Sequence, residues 1–235
     1  MKTVDVPSTV LLQRRQLITS TPFLGTTASG FTFTAASGTI AALAEAGGGM
    51  SLLTQAADNA IASWTTQAAC LVLAAEKPIH YSTLIRTAEV GANVSNLLFG
   101  LHSGAVASAL GNDGAGPPAS YSGFSFFKVD GGTHWNIEAS VAGAQTTVQL
   151  TADNSFTGAA VLSLQTVDQF LEIDVYPKTA VLCDVTFKIN GILIYKLTDF
   201  VYTSIAAMAA VGVVKAGSAD AETLKTRFCT IGQVR

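Results

Sequence analysis

A chain of 235 residues, 12% charged and 49% hydrophobic, with a formal net charge of −3, has no concentrated basic footprint, which excludes a nucleic-acid binder that works by neutralising phosphates. No apolar run approaches the ~20 residues of a membrane-spanning helix; the longest, Ile205 to Val214, is rich in Ala and Gly and ends at Lys215. Charge at about half the usual ~25% share, without a membrane segment, points to a chain that hides surface against other chains. The first residues, Met1-Lys2-Thr3-Val4-Asp5-Val6-Pro7, lack the apolar stretch of a secretory signal. Cys70, Cys183 and Cys229 are odd in number and widely spaced among apolar or β-branched neighbours. They read as small buried side chains of a protein folded in a reducing cytosol, and no C-x-x-C or nearby His suggests zinc. No metal or other cofactor is expected.

Residues 1–66 differ from the rest. They hold Pro7, Pro22, the pair Arg14-Arg15, Ser/Thr-rich stretches and Gly47-Gly48-Gly49. Gly30 to Thr34 alternates like a short strand, and Thr39 to Ala46 suits two helical turns stopped by the glycines. Aliphatic bulk is too thin for an independent core, so this segment reads as an extended N-terminal arm that attaches to something else. Arg14 and Arg15 are then either solvated or in contact with an acidic neighbour.

From Gln67 to Arg235 the signals are those of strands. Ala69–Leu73, Ile79–Val90, Asn96–Leu101, Gly123–Val129, Thr133–Val141, Thr146–Thr151, Gln169–Tyr176, Ala207–Lys215 and Leu224–Gly232 are short, apolar or alternating, and separated by turn residues. His102 to Ser122 contains G-N-D-G-A-G-P-P and reads as a loop. The spacing predicts an all-β antiparallel sandwich or jelly roll over residues 67–235.

Asp184 to Leu197 is the clearest hairpin, because Asn190-Gly191 is the preferred pair for a two-residue type I′ turn. Uninterrupted pairing would set Ile189 opposite Ile192, Lys188 opposite Leu193, Phe187 opposite Ile194 and Thr186 opposite Tyr195. Val185, Phe187, Ile189, Ile192 and Ile194 then form a core face, and Leu193, Tyr195 and Leu197 are left on the other. That second apolar row predicts a covering partner, either another chain or the arm. Leu193, Tyr195, Leu197, Arg14 and Arg15 are the expected partner-contact residues.

The succession Ile79-His80-Tyr81-Ser82-Thr83-Leu84-Ile85-Arg86, Asn96-Leu97-Leu98-Phe99-Gly100-Leu101, Gly123-Phe124-Ser125-Phe126-Phe127-Lys128, Phe170-Leu171-Glu172-Ile173-Asp174-Val175 and Val185-Thr186-Phe187-Lys188-Ile189-Asn190-Gly191 resembles the concanavalin A-like lectin/glucanase sandwich. More narrowly, it is similar to the version found in tailed-phage virion proteins, both capsid decoration (cement) and fibre proteins. The resemblance covers about residues 67–235, and the order of its motifs is more specific than any one of them. It implies a virion structural protein without enzymatic activity that binds the major capsid or other virion proteins, and a homo-oligomer, with a trimer favoured.

Three sites bear on the alternatives. Glu172 and Asp174 share one face of a strand, as the carboxylates of glucanases of this fold do, but Tyr176 and Pro177 stand where a further carboxylate is expected. A glycoside hydrolase would need two carboxyl groups about 5–5.5 Å apart for a retaining mechanism. His134, Trp135 and Asn136 are the candidate carbohydrate site of a fibre or tail module, with Trp135 stacking on a sugar ring, against the commoner reading of one aromatic at a hairpin as core or rim. Gly111 to Gly116 reads as a surface loop, since Pro117-Pro118 forbids the helix a phosphate cradle needs and Asp113 is too few carboxylates for calcium. His80, His102 and His134 show no ligand spacing.

Overall fold

Alternating side chains along consecutive strands build two antiparallel sheets. The computed structural model describes residues 15–22, 30–36, 38–45, 48–66, 69, 71–91, 93–203 and 205–234. Its strands are β1 (Arg15–Pro22), β2 (Phe31–Ala35), β3 (Thr39–Ala42), β4 (Met50–Leu53), β5 (Ile61–Thr66), β6 (Ile79–Ala88), β7 (Ser95–His102), β8 (Gly123–Lys128), β9 (Asn136–Val141), β10 (Ala144–Gln149), β11 (Gln169–Pro177), β12 (Leu182–Ile189), β13 (Ile192–Val201), β14 (Ala209–Ala216) and β15 (Thr223–Val234). Sheet A runs β13-β12-β11-β6-β15-β4-β3, and β1 pairs with the second half of β15, beyond the end of β4. Sheet B runs β10-β9-β8-β7-β14-β5-β2. The sheets face each other across one core. Tyr81, Leu171, Ile173, Val175, Val185 and Phe187 come from sheet A, and Trp64, Leu97, Phe99, Phe124, Phe126 and Ile137 from sheet B. Phe126 and Phe187 meet edge to face across it at 5.4 Å. The all-β sandwich is as expected.

The division at residue 66 is not. Residues 31–66 supply strands to both sheets, and Phe31, Met50, Leu52, Ala62 and Trp64 are buried in the shared core. They have too little apolar bulk to fold alone, but they need only complete edges that the later strands leave open. Trp64 lies over Gly212 of β14, where an added Cβ would fall 2.3 Å from the indole, and its Nε1 donates to Thr226 Oγ1 at 3.3 Å. Thr39–Ala42 pairs with β4 as a strand and makes no helical turns. In the Ala69–Leu73 stretch the described residues make no strand, and Leu71 forms a bridge with Met208.

The hairpin also differs from its expected pairing, and this removes the second apolar face. Asn190 and Gly191 take positive φ, +54° and +77°, as a type I′ turn requires. Ile189 faces Ile192 and Lys188 faces Leu193, but then the register slips, so that Tyr195 faces Phe187, Lys196 faces Thr186 and Leu197 faces Val185. The extra residue is a β-bulge. It returns Tyr195 and Leu197 to the inner side, where both pack against the core. Of the three expected partner-contact residues on this strand, only Leu193 stays exposed.

The low charge content has an internal cause. The strands β7, β8 and β14 are buried along their whole lengths. Their outer side is covered by the 103–122 loop, whose Ala109, Leu110 and Val106 pack on Leu98, Phe127, Val211 and Val213. At one end of the main core the Lys128 ammonium is fully enclosed, donating to Ser95 O at 2.8 Å and Asn93 O at 3.0 Å with Glu89 at 3.3 Å. Beside it Glu222 is buried. Burial, and then the negative charge of Glu89, push its carboxyl up to about 7. Burial likewise pushes the Cys183 thiol up to about 12, which leaves it an inert core side chain.

Two outcomes follow. Deleting residues 1–66 removes the Trp64 and Met50 layer, so the remainder is expected to lose its cooperative thermal transition; a truncated chain with a native-like melt would show a separable arm. Glu222 holds its proton in the folded chain up to about 7, while the ordinary value is 4.5. The folded state therefore binds the extra proton across that window, and stability falls as pH rises through it. Urea titrations at about pH 5 and pH 8 are expected to show this fall, and Glu222→Gln to flatten it.

Candidate functional site

The outer face of sheet A gathers the chain's polar chemistry. Along β11, Leu171, Ile173 and Val175 enter the core, so Phe170, Glu172, Asp174 and Tyr176 project outward. Register then fixes their neighbours. On β6, Leu84 lies opposite Phe170, Ser82 opposite Glu172 and His80 opposite Asp174. On β12, Lys188 lies opposite Glu172 and Thr186 opposite Asp174. Beyond β6, β15 sets Phe228 beside Leu84 and Thr230 beside Ser82.

Asp174 is the hub of this face. Its Oδ1 is 2.6 Å from His80 Nδ1 and its Oδ2 accepts from Lys188 Nζ at 2.7 Å. Burial opposes its ionisation, but the hydrogen bonds from His80 and Lys188 outweigh burial and hold its carboxyl below the usual range. The other imidazole nitrogen, His80 Nε2, is 3.1 Å from Ser82 Oγ. Phe170 and Phe228 form a tilted pair with centroids 5.7 Å apart at one end of the row. Tyr176, 42% exposed, stands at the other.

Ion pairs close both flanks. Arg86 binds Asp168 through Nε at 2.7 Å and Nη2 at 3.0 Å, and Glu45 accepts from Lys225 at 2.5 Å and Arg227 at 2.8 Å. Opposite, Asp184 receives Lys178 at 2.7 Å and Lys196 at 3.0 Å, and these hydrogen bonds, that from Lys178 first, hold its carboxyl well below the usual range. Pairs this exposed add little stability. They do orient the side chains that border the row.

Glu172 and Asp174 share a face as their spacing indicates, although both Asp174 oxygens are already engaged. The residues 134–136 do not form a sugar site. Trp135 is buried against Phe99 and Phe126 and donates Nε1–H to Gln169 Oε1 at 3.3 Å; it enters the core just before β9, where a stacking sugar cannot reach it. His134 hydrogen-bonds Thr133, and Asn136 donates to Phe127 O on the outer side of sheet B. Arg14 lies outside the described residues, and Arg15 opens β1 opposite Val234. In the 111–116 loop, Lys215 Nζ binds Gly111 O at 3.0 Å and Asn112 Oδ1 at 2.5 Å, so a lysine ammonium occupies the acceptors a cation would use. Among the described residues no three His, Cys, Asp or Glu side chains converge as metal ligands.

Two clusters escaped the sequence. The His80–Asp174–Lys188 group unites strands far apart in the chain, and no local pattern names the neighbours of His80 and Ser82. Under the 103–122 loop, on the outer side of sheet B, His102 stacks on Tyr121 at 4.3 Å. Nearby, buried Glu138 accepts from Gln145 at 2.8 Å and Thr147 at 2.7 Å. Burial raises the Glu138 carboxyl above its usual range despite these bonds.

No protein-family model matches the sequence, and no curated protein does. Solved structures match the fold. The carbohydrate recognition domain of Emp47p superposes with a TM-score of 0.60 at 12% identity, over 92% of this chain and 95% of that one. An endo-β-1,4-glucuronan lyase from the fungus Trichoderma reesei gives 0.60 at 9%, over 92% and 95%. An endo-1,3-β-glucanase from Streptomyces sioyaensis gives 0.58 at 7%, over 99% of both. The fold is thus the concanavalin A-like lectin/glucanase sandwich. At such identities the likeness concerns fold alone, and nothing in it points to phage virion proteins. The expectation of a fold without enzymatic activity is corrected, since a lyase and a glucanase share this fold with a carbohydrate recognition domain.

Proposed function

We propose that the chain is a carbohydrate-binding β-sandwich that takes an extended glycan along the outer face of sheet A. One observation carries it: Phe170, Glu172, Asp174 and Tyr176 project in a row from β11, with Phe228 beside the first and Lys188, His80 and Thr186 alongside the middle. Phe170 and Tyr176 are about 20 Å apart at strand rise, which is room for several sugar rings. Aromatic faces at the ends pack against the apolar faces of sugars, and the polar groups between them exchange hydrogen bonds with hydroxyls. Such a site is a rigid, preformed surface with few precisely placed polar groups. The likeness in fold to a carbohydrate recognition domain and to two polysaccharide-cleaving enzymes supports the choice of ligand.

A glycan array followed by calorimetry tests it. Tyr176→Ala and Phe228→Ala, checked for native melting, are each expected to weaken the best glycan about tenfold, near 1.4 kcal/mol. No reproducible binding, or binding indifferent to both changes, would sink the assignment. Release of reducing ends from a β-glucan, lost in Glu172→Gln, would place cleavage on the same surface.

A second reading, attachment to a phage capsid as a decoration protein, is favoured by exposed apolar groups at the β12–β13 tip. Ile192 is 59% exposed, Leu193 39% and Phe156 62%, and burying such side chains against a shell protein would yield about 1.5–3 kcal/mol each. Paired Ile192→Lys and Leu193→Lys changes should then strip the protein from purified particles. Unchanged occupancy, or absence from particles altogether, removes this option.

A further inference from the structure

We propose that Ser82 is a nucleophile, activated by His80 and oriented through Asp174, that accepts a small acyl group from an ester. The inference stands on the side-chain geometry and does not depend on glycan binding. Asp174 as a carboxylate can only accept, so the 2.6 Å contact requires that His80 carry its proton on Nδ1. Nε2 of the neutral ring then presents its lone pair to the Ser82 hydroxyl at 3.1 Å. A nucleophile bonded to a base, and the base bonded to an orienting carboxylate, is the arrangement that acyl-transfer enzymes use on unrelated folds. Lys188, on the second carboxylate oxygen at 2.7 Å, restrains Asp174 from rotating away. All four residues stand on adjacent strands inside a sheet, where backbone motion is small.

The surroundings limit the chemistry. Ser82 is buried, 3% exposed, between Glu172 and Thr230 on the neighbouring strands, while the His80 side chain is 26% exposed. An acyl group must come in past the imidazole and must be small, such as acetyl. The strand amides near Ser82 are engaged in the ladder with β11 and β15, so no backbone pair awaits the oxyanion. One such donor is worth about 10²–10³ in rate, and turnover is therefore slow. In the first half-reaction Ser82 Oγ bonds to the acyl carbon as its proton passes to His80 Nε2. The ester C–O bond breaks, and the leaving alcohol takes that proton. In the second, water gives a proton to His80 and attacks the acyl carbon, and Ser82 leaves and recovers its proton. Ester and water become acid and alcohol, and Asp174 stays ionised throughout.

The full-length chain is treated with a fluorophosphonate probe, read by peptide mass spectrometry, and with p-nitrophenyl acetate. The expected result is a covalent adduct on Ser82 and slow ester hydrolysis, both abolished by Ser82→Ala. His80→Gln, which keeps a polar side chain of similar reach, should slow both by about 10²-fold, and melting curves confirm that the variants fold. A folded wild-type chain without an adduct on Ser82, or equal labelling in His80→Gln, overturns the proposal. Loss of labelling in Ser82→Ala with glycan binding intact, or loss of glycan binding in Tyr176→Ala with labelling intact, tells this inference apart from the binding function.

Discussion

Register across β6, β11 and β12 is the constraint from which the rest of the molecule follows. The central strand, β11, is held on both sides, with Ile173 opposite Tyr81 on one neighbour and Phe187 on the other. A slip of one residue would turn Leu171, Ile173 and Val175 to solvent and drive Glu172 and Asp174 into the core without partners. Each displaced carboxylate would cost several kcal/mol. The same alignment that fills the core therefore delivers Asp174 to His80 and Lys188. Core and polar surface are two sides of one pairing decision.

Where charge is scarce, its placement is informative. Glu45, Arg86, Asp168, Lys225 and Arg227 make one half-buried network on sheet A, and Lys178, Asp184, Lys196 and Asp199 make a more exposed one. Sheet B needs little charge outside because its middle strands are covered by the chain's own 103–122 loop. The low charge content thus has one cause within the chain itself.

Much of the sandwich could be read from residues 79–232, because strand alternation and turn chemistry are local signals. Asn190-Gly191 announced its turn, and the strand carrying Glu172 and Asp174 showed its two faces. The bulge past Leu193 was not legible, since a turn pair fixes the loop and the first pairs but not a slip further along the strand. The role of residues 31–66 was hidden for a related reason. Thr39–Ala42 and Met50–Leu53 are weak strands by composition, and only the waiting edge of β15 makes them so. The hydrogen bond from His80 to Asp174 spans 94 residues, and no local pattern reports which distant strand lies alongside. Trp135 is core, the commoner place for a lone aromatic at a hairpin, and the sequence alone kept the sugar-stacking alternative open because such a residue looks the same whether it faces in or out.

The order of the strands bears on how the chain is made. The early strands β4 and β5 pair with β15 and β14, and Trp64 meets Thr226 162 residues later. A ribosome releases the first third of the protein long before the strands that receive it exist. Until residues 209–234 emerge, Trp64, Met50 and Leu52 lack the strands they pair with, and long-range pairing of this kind is slow and prone to aggregation. Maturation is therefore gated by the arrival of the C-terminal strands, which close the two ends of the polypeptide against each other in one late event.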